Sequence, residues 1–169
     1  MGLILSARTL ATLSTIAQNQ TEIGTGLFGS AVGAFLGTLI VGGIMILVFP
    51  DYTEGRIRDL VEDPVGSAVY GLIALVVLIV ATVLLVLTIV GILVVIPLLL
   101  LTYLLWAVGA AIAYLGIGDR LVGHDGGWLT PLLVGSAVNG LLVLTGIGGL
   151  VSLVVGAAGF GAVLRSWLG

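Results

Sequence analysis

Long uncharged apolar runs alternate along this chain with short polar stretches, and the run lengths predict its elements. From Leu27 to Phe49, LFGSAVGAFLGTLIVGGIMILVF contains no charged residue. At about 1.5 Å per residue such a run crosses a hydrocarbon core about 30 Å thick. Pro50 ends it, and DYTEGRIRDLVEDP follows at residues 51–64. There Ile57, Leu60 and Val61 recur at helical spacing with Tyr52 roughly above them, while Glu54, Arg58 and Glu62 share the other side. The pattern predicts a short helix in the headgroup region, a solvated connector in its plain reading and a docking surface in its sharper one.

Val65 to Gly116 is again uncharged and too long for one crossing. It predicts a helical hairpin: one helix to about Ile89, a break near Gly91, and a return through about Gly116 with Pro97 in its first turns. Tyr114, near the end of that return, suits an interfacial aromatic belt. IGDRLVGHDGGW, residues 117–128, reads as a polar loop, and two shorter crossings follow it. The octet LLVLTIVG at 84–91 recurs as LLVLTGIG at 141–148, with six of eight positions identical. Each copy falls between two predicted crossings, so Thr88 with Gly91 and Thr145 with Gly148 are expected at hairpin tips, where Thr and Gly reverse the chain without leaving backbone groups unpaired in lipid. The two hairpins would form a parallel repeat.

Composition fixes the solvent. Hydrophobic residues make up 60% of the 169 and charged residues 8%, with a mean hydropathy of +1.36, whereas soluble domains carry about 25% charged residues. The expected class is an all-α integral membrane protein of about five crossings: a lead-in at 1–25, then a single transmembrane domain over 26–169. All five cations are Arg, and eight acids leave a net charge of −3, a balance that suggests a high-salt habitat. There is no Cys, hence no disulfide or thiolate chemistry, and no basic surface for nucleic acid. With five crossings Arg56, Arg58, Arg120 and Arg165 fall on one side, which the positive-inside rule makes cytoplasmic. The N-terminus is then expected outside and the C-terminus inside the cell membrane. The amphipathic lead-in holds Arg8, a weak myristoylation pattern at Met1, Gly2 and Ser6, and a glycosylation sequon at Asn19.

Candidate chemistry is sparse. The predicted crossings hold no ionisable acid or base that could form a proton relay or ion site. Gly29, Gly33 and Gly37 lie four apart on one face and predict close helix packing. Asn139 is expected to make a helix–helix hydrogen bond. His124 with Asp119 and Asp125 lacks the second His a zinc site would use, and no Ser/His/Asp spacing forms a triad. The glycines of 118–127 do not follow a strand and form no phosphate loop. No catalytic residue, metal or cofactor is expected.

FPDYTEGRIRDLVEDPVGSAVYGL, followed by LTIVGILVVIPLLLLTYLLW, resembles the membrane region of haloarchaeal and bacterial proteins often attached to a bactofilin-type, polymer-forming domain. The shared features are a glycine-rich span ending in Phe-Pro, a charged segment ending in Asp-Pro, and a Thr-x-x-Gly turn followed by Pro. The likeness covers about Leu27 to Leu168. No polymer-forming repeat is present, so the resemblance implies a membrane anchor or scaffold and supplies no catalytic residues. The expected function is a non-enzymatic bilayer protein packing into a homo-oligomer or onto a membrane-protein partner, with Gly109, Ala113, Gly156 and Ala162 as further small contact residues. The alternative is a passive pore or transporter for water or small neutral solutes, with Thr88 and Thr145 at corresponding depth.

Overall fold

The computed structural model describes the backbone of residues 2–168, and the side chains of these except 2–11, 13–23, 89, 167 and 168. Among the described residues the chain is helical without strands: α1 (Gly2–Val48), α2 (Pro50–Glu62), α3 (Pro64–Val86), α4 (Ile89–Val122), α5 (Leu129–Leu144) and α6 (Gly148–Leu168). Four segments are long and apolar enough to cross a membrane, namely Gly24–Val48, Pro64–Val86, Val90–Val122 and Gly148–Ser166. This is a membrane protein. The 16 residues of α5 are apolar but reach only about 24 Å.

Helix α1 runs unbroken for 47 residues, and its apolar membrane-span segment begins at Gly24. No proline interrupts 1–49, and Gly24 and Gly26 alone do not stop a helix. Met1 and the side chains of Ser6 and Asn19, which belong to the modification patterns, lie outside the described residues.

Proline opens both α2 and α3, at a position whose N–H would have no partner anyway. At the first corner Thr53, 1% exposed, places its hydroxyl 2.8 Å from the Phe49 carbonyl and 3.1 Å from that of Met45. At the second, the Asp63 carboxylate accepts the Gly66 N–H at 2.9 Å and caps α3. Helix α2 buries Ile57 and Leu60 against the bundle and leaves Glu54, Arg58 and Glu62 exposed. Arg56 and Asp59 form an ion pair along it at 2.9 Å.

The octets occupy the connections α3–α4 and α5–α6, and each uses the same local device. The Thr88 hydroxyl donates to the Leu85 carbonyl at 2.9 Å, and the Thr145 hydroxyl to that of Leu142 at 2.7 Å. Thr88 also accepts the Gly91 N–H at 2.9 Å, which makes it the N-cap of α4. Side chains at Gly91 and Gly148 would collide with those same Leu85 and Leu142 carbonyls. The reversals themselves lie earlier than Gly91 and Gly148, at Leu87–Thr88 and at Thr145–Ile147, where Gly146 has φ +74°. Pro97 sits inside α4, beyond its first turns. The return helix continues past Gly116 to Val122, because Asp119 and Arg120 find partners that hold the last turns helical.

The two hairpins interlock. Helix α6 packs against both α3 and α4 more extensively than these pack on each other, and α4 likewise lies between α5 and α6. The resulting order is α3, α6, α4, α5, α1. Small residues make each contact: Gly71 meets the Ala157 carbonyl and Gly161 that of Ser67; Gly109 meets Gly159; Gly118 meets Pro131 and Gly135 meets Tyr114; Gly140 meets Ala31. Gly109, Ala113, Gly156 and Ala162 are thus spent inside one chain. Gly29, Gly33 and Gly37 are exposed, and a side chain at any of them would meet open space.

Gly71→Ala should therefore lower the stability of the detergent-solubilised protein by about 1–3 kcal/mol through overpacking, while Gly33→Ala stays within about 0.5 kcal/mol of the native chain. Thermal unfolding of both variants checks the contrast, and equal effects would contradict the packing described here.

Candidate functional site

Asn139 lies on α5 one turn from Gly135 and Ser136, facing α1 where Gly140 allows the two helices to approach. Its amide donates to Thr38 Oγ1 at 2.7 Å and to the Ala34 carbonyl at 3.3 Å. Its carbonyl oxygen lies 3.5 Å from the Ser152 hydroxyl, a long contact, and Ser152 accepts from Tyr114 at 2.9 Å. One polar seam therefore links α1, α5, α6 and α4. Tyr114 is 1% exposed, so it belongs to the bundle centre rather than to an interfacial belt. The seam consists of hydroxyls and a carboxamide, which can hold helices together but bring no carboxylate, imidazole or amine to the interior.

Ser136, fully buried beside this seam, has a hydroxyl with no partner among the described residues. Sequence reasoning singled out Asn139 but missed Thr38, Tyr114 and Ser152. Their pairing depends on which helix faces which, and no local spacing encodes that.

The polar groups outside the interior gather where α2, the 123–128 loop and the ends of α3, α4 and α6 meet. His124 Nδ1 lies 2.6 Å from Asp119 Oδ1, and its ring stacks on Trp128 at 4.6 Å and 6°. The Trp128 indole donates to Glu54 at 3.0 Å. The hydrogen bond that the ring donates to the Asp119 carboxylate, and then the negative charge of that carboxylate, raise the His124 pKa above its ordinary value. Arg165 pairs with Asp63 at 3.1 Å. The Gly66 N–H first, and then Arg165, hold the Asp63 carboxyl below its usual range. Arg120 donates to the Val61 carbonyl at 2.9 Å. Among the described residues no three His, Asp or Glu side chains are grouped to hold a metal ion. His124 engages a carboxylate and an indole, an arrangement that fastens the loop to α2.

Replacing Asn139 with Leu should cost about 1–2 kcal/mol, since hydrogen bonds between helices in lipid average about 0.6 kcal/mol each and three contacts are lost. Ser136→Ala should be near neutral, because its hydroxyl gives up no bond. Unfolding titrations of the two variants in mixed micelles read the difference, and a neutral Asn139→Leu would remove the seam as a stabilising feature.

No curated protein and no solved structure matches this chain. Residues 1–168 match the family described as Domain of unknown function (DUF8173). The match covers nearly the whole sequence, and the chain belongs to that family.

Proposed function

We propose that this protein is a non-enzymatic, multi-pass component of the cytoplasmic membrane that acts as a scaffold or partner-binding module through helix packing. One observation carries the reading: Thr38, Asn139, Ser152 and Tyr114 are hydrogen bonded to one another across four helices, rather than turned toward a space a substrate could enter. Backbone contacts at Gly71, Gly109, Gly118 and Gly135 close the spaces between the interlocked helices. That packing weighs against a solute path through a single chain. The open Gly29, Gly33 and Gly37 face of α1 is the surface left for a second copy or another membrane protein, and an anchoring role also fits the likeness to bactofilin-attached membrane regions.

In this reading α1, α3, α4, α5 and α6 make five crossings, with the short α5 accommodated by local thinning of the bilayer. The contacts of Arg120 with Val61 and of Arg165 with Asp63 support a common arginine-bearing end. By the positive-inside rule that end faces the cytoplasm. The two octet tips and the N-terminus then face outward, and the two octets form a parallel repeat.

Two measurements test the proposal. Native mass spectrometry from lipid nanodiscs should give a defined oligomer that Gly33→Leu weakens; a monomer in both would end the self-association reading. With no native Cys, an impermeant thiol reagent applied to intact cells should label Ile147→Cys and spare Asp59→Cys. The reverse pattern would invert the topology.

A further inference from the structure

We infer that the cleft between α2, α3, α4 and α6 at the arginine-bearing end holds one anionic phospholipid, its phosphate on Arg120 and part of an acyl chain along the apolar wall. The cleft measures about 150 Å³ and is walled by Leu60, Ala113, Ile117, Val155 and Ala158, with Arg120 its single charged lining residue. Pro64 closes one side and, lacking an N–H, adds no backbone donor there. Such a surface, at the level where helices meet headgroups, matches a molecule with an anionic head and a hydrocarbon tail.

The state of Arg120 carries the argument. The chain has eight acids for five arginines, yet among the described residues Arg120 forms no ion pair; its hydrogen bond goes to the Val61 carbonyl. Of the acids on adjoining elements, Asp119 is engaged with His124, Glu54 with Trp128, Asp59 with Arg56 and Asp63 with Arg165, and the exposed Glu62 forms no ion pair with Arg120 among the described residues. That single bond fixes the guanidinium and leaves further N–H groups for phosphate oxygens. The neighbouring cleft of about 310 Å³ differs on this point, because its arginines, Arg56 and Arg165, are neutralised by Asp59 and Asp63. A net charge of −3 repels anionic headgroups over the chain as a whole, so a preference for them would have to come from one site. The inference rests on membrane placement and not on association between copies.

The test titrates the detergent-solubilised protein with phosphatidylglycerol or phosphatidylcholine of the same chains and reads bound lipid by native mass spectrometry. The native chain should retain one phosphatidylglycerol about five-fold more tightly than phosphatidylcholine, the effect of one arginine near a lipid surface. Arg120→Gln should erase the preference, whereas Arg58→Gln, an equal charge loss outside the cleft, should keep it. Ala158→Leu, which fills the cleft, should weaken both lipids, and inorganic phosphate alone should not displace the bound one. Equal retention of the two lipids by the native chain would overturn the inference. So would a preference that survives Arg120→Gln or that Arg58→Gln removes equally. If Arg120→Gln does not fold, Arg120→Lys and Ala158→Leu decide: the first must keep the preference and the second must lose the lipid.

Discussion

Two helices in a bilayer gain little by hiding leucine from leucine, because lipid tails are as apolar as the contact they replace. What lipid does not match is backbone laid against backbone, at separations a branched side chain forbids. This protein meets that constraint with glycine at every major helix pair: Gly71 and Gly161 between α3 and α6, Gly109 and Gly159 between α4 and α6, Gly118 and Gly135 between α4 and α5, Gly140 between α5 and α1. The polar seam depends on the same closeness. Asn139 reaches Thr38 and the Ala34 carbonyl from the residue next to Gly140, where α5 comes near enough to α1 for a short carboxamide to bridge them.

Much of the element order was legible because the bilayer imposes a length scale and prolines and charges mark its edges. Pro50 and Pro64 each open a helix where the sequence turns polar and then apolar again, and the two octets mark the two reversals. The boundaries were less legible. Nothing in the first 25 residues distinguishes a lead-in from the start of a helix that continues to Val48. The polarity of 117–128 predicts a loop, but Arg120 bonds to a Val61 carbonyl that only the tertiary fold supplies and Asp119 to the nearby His124, and the helix persists through them.

The candidate site was legible only at Asn139. A carboxamide between apolar residues calls for a partner, but the sequence does not say on which helix. The glycine strip at 29, 33 and 37 shows the converse limit. Its spacing marks a face able to accept another helix, and the face is open, while the same four-residue spacing at Ser67 and Gly71 and at Ala157 and Gly161 packs within the chain. A hydroxyl such as Tyr114 read as interfacial from its place near the end of a run, and was buried by the arrival of α6 beside it.

The interlocking of the hairpins bears on how the chain assembles during synthesis. Helices α3 and α4 emerge before the second hairpin, joined at their tip but separated at the other end by the width of α6, which has not yet been made. Helix α5 can settle between α1 and α4 as it appears, yet its own partner across the reversal must pass to the far side of α4 to reach α3. The slot beside Ser67 and Gly71 thus stays filled by lipid until Ala157 and Gly161 enter it. The last helix acts as the bolt of the bundle, and insertion into the membrane precedes closure by the whole length of the second hairpin.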